Sequence, residues 1–211
     1  MCAELLTIGS TFMIFGVVRK VIPILVLWVG LPVGGGAGGD VVESAWDLGA
    51  LMNERATVLE GRATFEETRT VQVMRTPLEI SGELVYRAPD YLRKTVFLPV
   101  FEEMEVVGKR LYLTDGESRR RFHVDQHPAL AAVVAAIRGT LSGELSAIEV
   151  YFQHFFSGTQ ASWRLDLTPH SVEVAEHLEK LRIEGEGRQV LKVETRYANG
   201  DVSLMRMQSI E

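Results

Sequence analysis

The chain has 211 residues, 46% of them hydrophobic and 24% charged, which describes a globular protein of about one domain and argues against disorder. A formal net charge of −6 offers no overall attraction to a polyanion, so nucleic acid is not an expected partner. The single cysteine, Cys2, rules out an intramolecular disulfide, a CxxC redox motif and a cysteine-based zinc site.

Residues 1–39 read as a leader. Arg19-Lys20 precedes the apolar run "VIPILVLWVGLPV" and the small-residue stretch "GGGAGG", the order of a signal peptide. Residues 21–33 fall short of the roughly 18 residues that span a bilayer as a helix, and Pro23 and Pro32 interrupt them. Cleavage near Gly36 to Gly39 is expected, leaving a single periplasmic domain over 40–211, acidic and cysteine-free. The apolar stretch before Val17 reads as an over-extended start, and an uncleaved, anchored form is the alternative fate.

In "VVESAWDLGALMNERA", Val42, Ala45, Trp46, Leu48 and Met52 recur at helical spacing, predicting an amphipathic helix over about 42–56 with Asp40 as its cap. From Ala63 the period changes to two, with Phe65, Glu67, Arg69 and Val71 on one face of a strand. The alternation continues through "PLEISGELVYRAP", "YLRKTVFLP", "FEEMEVVG", "KRLYLTD" and "ESRRRFHV". Turn signals fall at 75–77, 88–90, Gly108 and Asp115-Gly116, so this half is an antiparallel meander.

A helical period returns at "QHPALAAVVAAIRGTLSGELSAIEVYFQHFF". It predicts one helix over 128–138 and a second over 141–155, separated by Gly139 and Ser142-Gly143. Strands resume at "ASWRLDLTP", "LRIEGEG", "RQVLKVETRYANG" and "DVSLMRMQSIE", with a short helix in "SVEVAEHLEKL" and a tight turn at Asn199-Gly200. No internal repeat and no dividing linker is visible. The fold class is α+β: a strongly curved antiparallel sheet, or incomplete β-barrel, with a helical lid over about 126–156 and an N-terminal amphipathic helix.

One face of that sheet is apolar. Leu84 and Tyr86 share a side of their strand, Val96 and Leu98 extend it, and Met104, Val106, Leu111 and Leu113 continue it. The insert supplies a cover through two stripes, Leu130, Val133, Val134 and Ile137, then Ile148, Tyr151, Phe152 and Phe155. Sheet and cover together make either a core or an apolar cavity.

The order of these segments, an N-terminal helix followed by "ATFEETRTV", "SGELVYRAPDYLRKTV", "VVGKRLYLTDGESRR", a helical insert and "WRLDLTP", resembles the outer-membrane lipoprotein carrier (LolA-like) family over about 43–210. The resemblance implies a divergent periplasmic carrier, an incomplete barrel lidded by helices. Such a carrier holds acyl chains of a lipoprotein or other lipid in an apolar cavity and delivers them toward the outer membrane, without a cofactor and as a monomer. A lipid-sensing module of the same fold, without a transport role, is the alternative. In the family an arginine directly before the proline of the second strand controls the lid. Here Ala88 precedes Pro89 and the arginine is Arg87, one place earlier, a shift that reverses its face.

The remaining chemistry is thin. His123 and His127 lack a third ligand, "SGE" lacks the G-x-S-x-G elbow, and Glu102, Glu103 and Glu105 read as a solvated strand face. "GGGAGG" has no lysine and no preceding strand for a phosphate loop. No metal site and no enzymatic activity are expected. Arg119, Arg120 and Arg121 read either as protection of an edge strand or as an anion-steering patch.

Overall fold

Alternating side chains draw more than half of the described residues, 46–210 of a computed structural model, into eleven antiparallel strands. The expected leader, residues 1–39, and the expected cap Asp40 lie outside the described residues. Helix α1 (Leu48–Ala56) starts later than its apolar spacing suggests. Asp47 is extended, at φ −124° and ψ 179°, and its carboxylate accepts the amide of Ala50 at 2.8 Å, so the cap stands where an interior turn was expected.

The first meander follows the expected turns: β1 (Glu60–Thr70), β2 (Leu78–Arg87), β3 (Tyr91–Leu98), β4 (Glu102–Val107), β5 (Arg110–Asp115) and β6 (Ser118–His123). After a single 3-10 turn come α2 (Pro128–Ser142) and α3 (Leu145–Glu149). The second meander comprises β7 (Phe152–Thr159), β8 (Ser162–Pro169), a one-turn helix α4 (Val172–Ala175), β9 (Leu178–Glu186), β10 (Gln189–Tyr197) and β11 (Val202–Ile210).

The sheet order is β6-β5-β4-β3-β2-β1-β11-β10-β9-β8-β7. The two meanders therefore meet at the β1–β11 pair, and the strands joined by the helical insert, β6 and β7, are the two free edges of one curved, open sheet. Among the described residues no helix is long and apolar enough to cross a membrane.

The insert departs from its expected shape. Helix α2 runs through Gly139 without a break and ends at Gly143, whose φ of 72° is the left-handed conformation that glycine tolerates. Gly139 is there for closeness: a Cβ on it would lie 2.7 Å from Ile148 and 2.9 Å from the Glu144 carbonyl, so it lets α3 press against α2. The second helix expected over 141–155 is only the five residues of α3, and Phe152 already belongs to β7. The aromatic run satisfied a helical spacing by coincidence, whereas its observed period is two, with Phe152 buried and Phe155 exposed. The lid is thus bounded near residue 149, short of the expected 156.

Three apolar clusters sit on the concave face. One joins α1, α2 and α3 to β7, β8 and β9 through Leu51, Ile148, Phe152, Trp163, Leu165 and Leu181. A second joins α2 to β2–β5 through Tyr86, Leu92, Val106, Leu111, Leu130 and Val134. The third, Phe65, Ile80 and Val96, is built from strands alone, with Leu84, Met205 and Met207 packed against it.

Candidate functional site: the concave face and its cover

Register decides which side chains share the concave face. Tyr86 stands opposite Leu92, which stands opposite Val106, which stands opposite Leu111; the next row joins Leu84, Lys94, Met104 and Leu113. Antiparallel partners lie on one side of a sheet, so the expected cavity residues of four strands form two continuous rows. The insert closes over them: Leu130 and Val134 are core members of the same cluster, and Ile137 and Tyr151 pack at its margin. Val133, Ile148 and Phe152 face the other half of the sheet, against β8 and β9.

Three expected residues fall elsewhere. A register shift between Ser81 and Gly82 changes the phase at the end of β3, so Val96 stays inside while Leu98 turns out to solvent, 61% exposed. Phe155 lies on the outer face of β7. Arg87 is exposed on the outer face of β2, stacked 5.4 Å from the Tyr91 ring centre.

Arginines from the helices make the polar ties that Arg87 does not. Arg138 of α2 donates to the Gly108 carbonyl in the β4–β5 turn at 2.8 Å. Arg55 of α1 is buried and donates to the last turn of α2, at the Leu141 carbonyl, at 2.9 Å, and to the Arg188 carbonyl of the β9–β10 turn. Burial lowers its pKa, although a guanidinium remains charged. Beside Arg138 a cleft of about 270 Å³ opens between α2 and the strand turns, lined by Pro89, Gly108, Val134, Ala135 and Tyr151. That is just under the ~300 Å³ where small-molecule pockets begin.

One group on this face went unrecognised in the sequence. Glu67 is almost fully buried on β1 and accepts from Lys94, from Arg69 at 2.7 Å and from the Ser203 hydroxyl at 2.8 Å. Burial alone would raise its pKa, but Lys94 and then Arg69 overcome that and hold it at about 2. Lys94 also lies 4.8 Å from the Phe65 ring centre, beside the strand-only cluster. The signal was present: Glu67 follows Phe65 by two residues, and Lys94 falls between Leu92 and Val96.

His127 meets the Phe122 ring edge-on at 6.4 Å, His123 ends β6, and among the described residues no group of three His, Cys, Asp or Glu could hold a metal. On the edge strand β6, Arg119 pairs with Glu105 and stacks on Tyr112, and Arg120 pairs with Asp115.

The fold and site define a helix-covered open β-sheet protein with an apolar concave face. Residues 40–208 match the family described as outer membrane lipoprotein carrier protein LolA-like, and the chain belongs to that family. No curated protein matches it. Among solved structures, it is similar to a LolA superfamily protein from Nitrosomonas europaea at 8% identity and a TM-score of 0.43, over 78% of this chain and 92% of that one. A DUF1329 family protein from Desulfovibrio piger gives 9% identity and a TM-score of 0.43, over 81% of this chain and 92% of that one.

Proposed function

We propose that this protein is a monomeric periplasmic carrier that takes up the acyl chains of a lipoprotein or another lipid against its concave sheet face and delivers them toward the outer membrane. The observation that carries the reading is the surface formed by the rows through Tyr86 and Leu84, apolar but for Lys94 and capped by an insert that joins the two free edges of the sheet. Membership of the lipoprotein carrier family supports this reading of the surface. Each methylene removed from water contributes ~0.8 kcal/mol, so a few acyl chains bind tightly with no directed polar contact. Because Leu130 and Val134 of α2 are buried against the sheet rows, acyl chains enter by displacing α2 and α3, and Leu130, Val134 and Ile137 exchange sheet contacts for cargo contacts. The leader sends the chain across the inner membrane.

Native mass spectrometry of the protein purified from a periplasmic extract tests this directly. Co-purifying acylated lipid or lipopeptide is the expected result, together with an N-terminus near Asp40. A protein that is lipid-free and binds no fluorescent fatty acid sinks the carrier reading, and one retained on membranes from Met1 or Val17 sinks the export reading.

A further inference from the structure

The concave face accounts for the buried apolar residues but not for the exposed ones. Phe97, Leu98, Pro99, Val100 and Phe101 form an unbroken apolar tip on the β3–β4 hairpin, all exposed to solvent, Val100 by 66% and Phe101 by 47%. Leu98, expected inside, belongs to this tip. At the same end of the sheet the β1–β2 turn exposes Val73 and Met74. Neither Tyr91 to Phe101 nor Val71 to Leu78 contains a carboxylate, although the chain as a whole is acidic, and the second turn carries Arg75. Isolated exposed apolar residues need no explanation, but five in succession on one tip do.

We propose that the β3–β4 tip is a membrane-docking wedge that inserts Phe97, Leu98, Val100 and Phe101 into the interfacial layer of a phospholipid bilayer. Shape and size select this occupant. The tip is a hairpin end of five residues, and a stable protein partner needs on the order of 800 Å² on each side, more than such a tip presents. A bilayer accepts a small apolar wedge at ~5–10 Å depth and needs no matching groove. A second copy of this chain is a poorer occupant, since the net charge of −6 opposes self-association. The choice of a lipid surface rests in part on the carrier reading, because a protein that exchanges acyl chains must meet the membrane holding them.

The test uses the exported protein that begins near Asp40 and carries no cysteine, with one new cysteine, Val100→Cys at the tip or Leu59→Cys at the opposite end of the sheet, each labelled with an environment-sensitive nitrobenzoxadiazole dye. Phosphatidylcholine vesicles should blue-shift the dye at 100 and leave the dye at 59 unchanged, and high salt should not abolish the shift. In the unlabelled chain, Phe101→Ser with Val100→Asp should lower vesicle binding at least about tenfold, with fatty-acid probe binding retained. The wedge is overturned if the dye at 100 does not shift, if both positions shift alike, or if the shift at 100 appears without vesicles as the protein dimerises in sedimentation. Vesicle docking by a protein that binds no fatty-acid probe would sink the carrier reading and leave the wedge standing.

Discussion

Glu67 and Lys94 occupy positions that strand alternation assigns to apolar side chains, and the physics of a buried ion pair sets what they do. Such a pair need not stabilise relative to a well-packed apolar pair, but removing one partner strands the other charge at a cost of ~3–5 kcal/mol. Glu67→Gln should therefore lower the melting temperature sharply, because Lys94 stays buried beside Phe65 with its carboxylate gone. The pH dependence has a definite sign. The Glu67 pKa lies at about 2 in the folded protein, below its ordinary 4.5, so its stabilisation is complete above about pH 4.5 and fades as pH falls toward 2. Urea unfolding across that window should show a loss of ~3 kcal/mol in the native chain that is absent from Glu67→Gln. A variant with the same acid slope as the native protein would show that other carboxylates control it.

At the scale of elements, the insert divides into a long helix that spans both halves of the concave face and a short one that braces it. Gly139→Ala should destabilise the protein by about 1–3 kcal/mol, because the new methyl group has no room between α2 and α3. Its melting temperature and fatty-acid binding separate a strained cover from a lost one. Arg138→Ala removes the tie to the Gly108 carbonyl, and amide exchange over 128–149 should accelerate several-fold while strands β1 and β2 keep their protection. Added fatty acid should restore that protection; unchanged exchange in the variant would show that the apolar stripe alone holds the cover. Ten of the strands were legible in this chain because polar and apolar residues alternate between strong turn signals such as Asp115-Gly116 and Asn199-Gly200, whereas the β1–β11 pairing, which joins segments far apart in sequence, was not. The insert was misread because "YFQHFF" fits periods of two and of 3.6 over so short a span, and Gly139 was credited with breaking a helix that it serves to pack. Arg138 and Arg55 were missed because the turn carbonyls they reach lie far off in sequence.

For the whole molecule, the decisive fact is that one sheet carries everything and has two unlike edges. Strand β6 presents Arg119, Arg120 and Arg121, which discourage pairing with another chain, whereas Phe152–Thr159 carries no Lys, Arg, Asp or Glu. The middle is held by the register from Arg62 opposite Ile210 to Thr70 opposite Val202. Deleting residues 202–210 would expose two new edges there and strip Met205 and Met207 from the Phe65 cluster, so cooperative melting should disappear; a deleted chain that still melts in one sharp transition would show that each meander folds alone. The β1–β11 seam also sets a clock. Each meander can zip locally as its hairpins emerge, but Thr64 must wait for Gln208, 144 residues later, before the centre of the sheet can close. Until Val202–Ile210 pairs with β1 the chain has no completed native sheet, so β1 and β10 each keep an unpaired edge, and the molecule stays open to mispairing until β11 arrives.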